Sequence, residues 1–425
     1  MNLRTLGLLT TSIGIITLGC NGTDVTGTDV TDTNVGGSSP TPTTSSTNST
    51  TSGSTSVPTV CTGPACPAII QLIGGHGYEC AVLGDATVDC WGANDSGRLG
   101  DGTTTPRDTP VAVKGLPPAA AAAVGLGHAC ALLDDTTVRC WGLNSNGQLG
   151  NGTMTASLAP VAVTGLSGVN QIGAGVYHSC ARLGDTGRVL CWGRGGYLGD
   201  GTITGSSTPR EVPGISAATW LAVGGGESTG TDLAASCAIL QDGSARCWGD
   251  NGQGQLGDGT KARGLSPVTV MGLSGAIEIT VGGAHACALL NDGTARCWGA
   301  NDNGQLGDGT RIERLTPVPV MGLSTVAHLS AGERHTCAEL LDGTVMCWGE
   351  NSSGELGRGA TSLMPSPTPA LVSGLVGVSA LGASSQSACA YSADRVTRCW
   401  GNNQYGQLGI GADTTSRPVP TAVAW

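Results

Sequence analysis

His285-Ala-Cys287-Ala-Leu-Leu-Asn-Asp-Gly293-Thr-Ala-Arg-Cys297-Trp-Gly-Ala-Asn-Asp-Asn-Gly-Gln-Leu-Gly-Asp-Gly309 is the stretch from which the rest of the chain is copied. A Cys-Trp-Gly triplet closes the same short motif at Cys90, Cys140, Cys191, Cys247, Cys297, Cys347 and Cys399. The intervals between triplets lie close to fifty residues, and the one from Cys191 to Cys247 is a little longer. A fixed period of this size marks a repeat architecture, in which no unit buries its apolar face without its neighbours.

Within the motif the register can be worked out by hand. If Asn291-Asp292-Gly293 is a three-residue hairpin loop, Leu290 faces Thr294 and Cys287 faces Cys297, with Gly293 in the left-handed conformation such a loop requires. Directly opposed residues of a non-hydrogen-bonded pair sit at about disulfide range. The same arithmetic pairs Cys80/Cys90, Cys130/Cys140, Cys237/Cys247, Cys337/Cys347 and Cys389/Cys399, and a longer loop, Gly184 to Gly187, keeps Cys180 opposite Cys191. Cys61 and Cys66 form an eighth expected pair, which leaves Cys20 as the odd one of 17 cysteines.

Metal is the rival reading of these cysteines, because His285 precedes Cys287 by two residues and shares its strand face, as do His128, His178 and His335 with theirs. Tyr78, Ala235 and Ser387 break the pattern, so these histidines are expected to be packed rings between strands and no metal site is assigned.

Each repeat also carries a Pro-Val run and a Gly-Leu turn, as in Pro267 to Leu273 and Pro317 to Leu323, and then a second apolar run such as Ile277 to Val281. Four short strands per unit is the content of a propeller blade, and the expected fold is an all-β, seven-bladed propeller. The first repeat lacks a preceding Pro-Val run, and the run Pro418 to Val423 has no repeat after it. That last strand is expected to be donated to the first blade, closing the ring and removing an open edge.

Here the units Gly-x-x-His-x-Cys-Ala-Leu-x-x-Asp-Gly-Thr-x-x-Cys-Trp-Gly-x-Asn-x-x-Gly-Gln-Leu-Gly-Asp-Gly closely resemble regulator of chromosome condensation repeats over about residues 67 to 425. The resemblance implies seven blades. The eukaryotic namesake of that family is a chromatin-bound exchange factor for a small GTPase, from which this chain departs in acidity, paired cysteines and export signal. Secreted bacterial propellers share the repeat, one of them an inhibitor of β-lactamases.

Composition agrees with strands and turns: 71 of 425 residues are Gly, 12% are charged and Phe is absent. A formal charge of -11 without any Lys/Arg cluster would repel a nucleic-acid backbone, so no nucleic-acid partner is expected. Residues 1–20 join Arg4, an apolar run from Leu6 to Leu18 and Gly19-Cys20, the form of an export signal. Thr17-Leu18-Gly19-Cys20 resembles a bacterial lipoprotein box, which makes Cys20 the expected lipidation site and a lipid anchor the only expected membrane contact. Residues 21–60 are Thr, Ser, Gly, Asp, Asn and Pro without Lys, Arg or aromatics, and read as a disordered tether with a span of about 35 Å as a random coil. The propeller is assigned to residues 61–425.

No Ser nucleophile elbow, zinc-protease helix or Walker loop is present. Gly125-Leu126-Gly127 and Gly173-Ala174-Gly175 have no helix to follow them and make poor phosphate cradles. Asp101, Asp200, Asp258 and Asp308 recur in Asp-Gly-Thr turns, where they are expected to hold turn amides rather than calcium. No catalytic, cofactor or metal residue is assigned.

What breaks the repeat carries more information than what keeps it, since repeated positions are used for packing. From Gly224 to Cys237 is 13 positions, whereas Gly282 to Cys287 is 5. This insertion is read as a loop on the partner-binding face, with Glu227, Ser228, Thr229, Thr231 and Asp232 as the candidate contacts. The expected function is an exported, monomeric, envelope-anchored module that binds a protein partner without catalysis. The alternatives are a carbohydrate-active enzyme using the propeller funnel and, further off, a nucleotide exchange factor.

Overall fold

A Pro-Val strand can only lie at a sheet edge, because proline donates no ladder hydrogen bond, and each blade places it there. The computed structural model describes residues 66–228 and 231–425, with the backbone alone at 227, 228, 231 and 232. Twenty-eight strands form seven four-stranded antiparallel sheets, each built from strands consecutive in the chain. Blade 5 is typical: an inner strand Ala276–Val281, the Cys strand His285–Leu290, the Cys-Trp-Gly strand Ala295–Gly299 and an outer strand Arg314–Pro319.

The hairpin register is the one the sequence implies. Cys287 opposes Cys297 and Leu289 opposes Ala295, with Gly293 at φ 79°. Seven disulfides join the expected partners across every blade, with Cα atoms 4.0 to 4.1 Å apart. Ala86, Thr136 and Arg395 fill the left-handed turn position in blades 1, 2 and 7, at a conformational cost that Gly293 avoids. Cys66 is buried; Cys20 and Cys61 lie outside the described residues, as do the expected signal and tether at 1–60.

One expectation is corrected. The strand Arg417–Ala422 pairs with Thr397–Gly401 of its own seventh blade instead of joining the first. The outer strand follows its Cys-Trp-Gly strand in the chain, so a blade begins at the second apolar run and ends on Pro-Val, and both loose ends disappear without strand exchange. The C-terminal segment still helps to close the ring: Val423 shares a buried cluster with Ile69, Leu72 and Trp91, and Trp425 meets Trp91 edge to face at 5.7 Å.

Three devices hold neighbouring blades together. The first is the fully buried tryptophan of the triplet, whose indole N–H in six of the seven blades donates to the equivalent loop of the preceding blade, as from Trp298 to the Gln255 carbonyl (2.9 Å) and from Trp91 back to Gln407 (2.8 Å). The second is the histidine. His285 Nε2 lies 2.9 Å from Thr336 Oγ1, which spends its proton on the Gln305 carbonyl, so the imidazole is the donor. His128 and His178 meet Ser179 and Ser236 in the same way at 2.8 Å, whereas Ala388 leaves His335 without that hydroxyl. The ring takes the space a side chain would need at the preceding glycine: a Cβ on Gly282 would lie 2.3 Å from His285 Cε1. These histidines are packed between blades, as expected from sequence.

The third device works along the inner strands, which lie in separate sheets and are joined by side chain-to-backbone hydrogen bonds. Gln71 clamps the backbone of Ala122 in the next blade (3.0 and 3.2 Å), and Gln171 does the same to Leu221. Trp220 donates to Ile279, and Glu278 accepts from Leu329.

Inside six of the seven blades, an asparagine after the triplet folds the long connection back towards the outer strand. Asn301 is fully buried; its amide reaches Asp308, Thr310 and the Ile312 carbonyl (3.0 Å), and its Oδ1 accepts from Leu306 (3.0 Å). Replacing Asn301 with Ala strands several buried backbone groups, and we expect a loss of about 3 kcal/mol in urea-induced unfolding. A loss below about 0.5 kcal/mol would show that the connection holds its shape without the side chain.

Candidate protein-interaction face

Antiparallel order sends two kinds of connection to one face of the ring: the short turns between inner and Cys strands, and the long Asn-bound loops. The Asp-Gly-Thr hairpin turns lie on the opposite face. Their aspartates serve the turns, since Asp292 Oδ1 accepts from the Thr294 N–H at 2.9 Å. Asp101, Asp200, Asp258 and Asp308, in the long loops, accept from Thr103, Thr202, Thr260 and Thr310 at 2.9 to 3.0 Å. Arg107 and Arg314 also pair with Asp101 and Asp308, and the local bonds hold both carboxyls below the usual range although burial opposes this.

The loop face carries the insertion. It is strand rather than loop: the inner strand of blade 4 runs Ala218–Ser228, its partner Thr231–Leu240, and the pairing continues through Glu227↔Asp232 to Ser228↔Thr231. The physical reason is that the eight extra residues are shared between the two arms, whose strands grow from six residues to 11 and 10, so a hairpin can extend in register. Glu227, Ser228, Thr231 and Asp232 thus lie at the outer end of this hairpin, and Thr229 lies outside the described residues.

Beside the hairpin stands a departure that the sequence reading did not single out. The loop of blade 3, Trp192-Gly-Arg194-Gly-Gly-Tyr197-Leu198, covers in six positions what Trp298 to Leu306 covers in eight. It has no capping asparagine, and Tyr197 replaces the glutamine. The signal was available as a length difference, hidden because the Cys-Trp-Gly triplet itself is intact. Its consequences are local. Trp248 finds no acceptor for its indole N–H, and Tyr197 packs with Val176 and Ala234, the latter at the root of the hairpin. Arg194 lies over the rings of both Tyr177 (5.5 Å) and Tyr197 (5.7 Å), and Arg263 over Tyr197 (5.1 Å).

On the hairpin's other flank a cleft of ≈ 330 Å³ is floored by Leu233, Ala284 and Ala300 and rimmed by Asp302, Arg311, Glu333 and Arg334. The funnel itself is narrower, a recess of ≈ 220 Å³ lined by the inner strands. Its polar groups are engaged between blades. Thr280 and Ser330 accept from Ala331 and Ala383, and His328 Nδ1 lies 2.9 Å from Glu278. Burial opposes a charge on His328, but the carboxylates of Glu278 and Glu339 outweigh it and raise its pKa.

Geometry therefore defines a disulfide-bonded seven-bladed propeller in which the long hairpin of blade 4 and the short loop of blade 3 lie side by side on one face. By sequence the chain belongs to the regulator of chromosome condensation (RCC1) repeat family, whose profile matches residues 87–132, 137–182, 242–289, 292–338 and 399–425. A second profile of the same repeat matches 120–148, 169–197, 276–305 and 326–355. No curated protein sequence matches the chain. Among solved structures, yeast RCC1 (Prp20) bound to Kap60 is 22% identical, covers 84% of this chain and 85% of its own, and gives a TM-score of 0.69. Prp20p of Saccharomyces cerevisiae, solved in work on its binding to Gsp1p and histones, is 22% identical over 84% of this chain and 87% of its own, with a TM-score of 0.69. Human WBSCR16 is 22% identical over 80% of this chain and 95% of its own, at 0.68. At this identity the likeness establishes the fold alone, and one fold hosts many functions.

Proposed function

We propose that this propeller is a protein-binding module, exported and held at the cell envelope through a lipid on Cys20, and that the partner engages the loop face around the hairpin of blade 4. The observation that carries the reading is the coincidence in space of the two departures from the repeat, the lengthened hairpin and the shortened blade 3 loop. The shortened loop has cost the ring a standard inter-blade contact, since Trp248 has lost the indole acceptor that the other six triplets keep, and Ala235 at the hairpin's root offers no ring to the next blade. Giving up packing at adjacent sites supports selection for something other than stability. The relatives' recorded partners, Kap60, Gsp1p and histones, are proteins, which supports the same class of activity here.

Seven disulfides support an oxidising compartment and argue against a cytosolic exchange-factor role. The engagement of the funnel's polar side chains in blade-to-blade bonds supports binding over a funnel-based carbohydrate enzyme. The test uses the oxidised full chain as bait in native envelope and surrounding medium, beside a variant lacking residues 226–233. We expect a stoichiometric protein partner whose affinity falls at least about tenfold in the variant, with its thermal unfolding little changed. Undiminished binding by the variant would move the site elsewhere, and retention of glycans alone would overturn the protein-binding reading.

A further inference from the structure

Blade 6 carries a chemical anomaly in the loop that follows its triplet. In the sister loops the side chain at the position before the capping asparagine faces the side chain of the Gly-Gln-Leu glutamine. Gln255 Nε2 donates to Asp250 (3.0 Å) and Gln407 Nε2 to Asn402 (3.2 Å), while Gln148, opposite Leu143, has an amide nitrogen with no partner. In blade 6 both positions are acids, Glu350 and Glu355. Glu355 is fully buried; its Oε2 accepts from the Ser353 N–H (2.9 Å), as the glutamine oxygens do in their loops, and its Oε1 is left with no partner. A glutamine amide would donate from that atom, and a bare carboxylate cannot.

The groups around it do not supply a counter-charge. Ser352 donates to Glu350 (3.2 Å) and the Arg334 carbonyl accepts from the Glu350 N–H, while the Arg334 guanidinium lies 3.8 Å from Glu333. His335, in the same blade, is neutral through burial. Across the seam, Trp400 donates to the Glu355 carbonyl and Pro418 packs on Gly354; neither titrates. The loop is also less braced than that of blade 5, since Arg358 and Ala360 replace the Asp and Thr of the repeat, and the Asn351 side-chain amide donates one bond, to the Ala360 carbonyl (2.9 Å).

We propose that Glu355 keeps a proton on its buried Oε1 and that this proton holds the 350–361 loop in place, making it the pH-responsive part of the loop face. Losing the proton leaves a bare carboxylate oxygen buried without a partner. Burial, reinforced by Glu350, pushes the Glu355 carboxyl up to about 7 from an ordinary 4.5. A raised folded-state value means that stability is present at low pH and is lost as pH rises from about 4.5 to about 7.

The experiment compares oxidised full-length wild type with Glu355→Gln and Glu350→Gln, each of which places an amide between the two side chains. Thermal unfolding and hydrogen exchange at the Ser353 and Leu356 amides are read from pH 5 to 9 in EDTA. We expect both variants to gain on wild type as pH rises, by a few degrees in Tm, with the difference levelling above about pH 7 and loop protection following the same curve. If one variant does not fold, the other gives the answer, and the 13C carboxyl titration of Glu355 in wild type gives it independently through a midpoint near 7. A pH-independent difference, or a wild-type loop that opens only when EDTA is added, would overturn the buried proton on Glu355; the latter would mean a bound cation does its work.

Discussion

Reduced in denaturant, alkylated and returned to native buffer, the chain is expected to stay unfolded. Each blade bridges cysteines ten or eleven residues apart, and a loop of that length is worth about 3 kcal/mol. A domain's whole margin is only about 5–15 kcal/mol, so seven such losses exceed it. The apolar residues cannot make up the difference, because the core is rich in alanine and lacks Phe, so that removing cross-links leaves thin blades with little area to bury. By contrast the folded protein is expected to resist reductant, since all fourteen of these sulfurs sit on residues at most 1% exposed. Mass spectrometry of alkylated thiols, with and without urea, reads both halves of the prediction. Native circular dichroism from the fully alkylated chain would show that the disulfides are dispensable.

The second large effect is expected in acid. Burial presses His128 and His285 down to about 3 and His178 and His335 to about 4, while the unfolded chain takes up a proton at 6.5. A base with a depressed folded value contributes stability above its unfolded pKa, and this is lost as pH falls from about 6.5 towards the folded values. The scale is on the order of 4 kcal/mol for each of the two most depressed rings. Cooperative acid unfolding is therefore expected well above the pH at which the surface carboxylates titrate. Replacing His285 with Gln, whose amide can also donate to Thr336, should move the midpoint to lower pH. An unmoved midpoint would assign acid unfolding to other groups. The opposite slope comes from Glu79, whose burial raises its carboxyl to about 8 against the hydrogen bonds of Ser384 and Ser387, so its contribution is lost as pH rises from about 4.5 to about 8.

Much of this was legible in the residues because the chain states each rule seven times. A three-residue loop fixes the register of a hairpin, and the register places Cys287 against Cys297; no tertiary information is needed. The outer strand was different. Pro-Val signals an edge but not whose edge; in six blades Asn301 and its counterparts fold the connection back through contacts seven to eleven residues away, and in blade 3 a shorter loop returns the strand without one. At the candidate site, the insertion showed as a length and its place was read correctly as a departure, but the growth of both arms, which makes it a hairpin, is a matter of pairing. The shortened loop at Tyr197 was just as visible as a count, and only the fold shows that it lies beside the hairpin. The Glu350/Glu355 pair is invisible to periodicity, since an acid in place of an amide barely alters the pattern.

Because every blade is one unbroken stretch of chain, the order in which it is made can be the order in which it is completed. A ribosome or a translocation channel releasing the chain from its first residue would deliver each hairpin whole, its two cysteines ten or eleven residues apart and its outer strand close behind. Oxidation of one blade need not await the next, and wrong pairings between distant thiols have little time to form. Only the seam of blades 1 and 7, where Trp91 meets Gln407 and Trp425, needs material from both ends of the ring. Until then the growing arc presents a single open flank, so a chaperone or an oxidase following synthesis would have one moving front to protect.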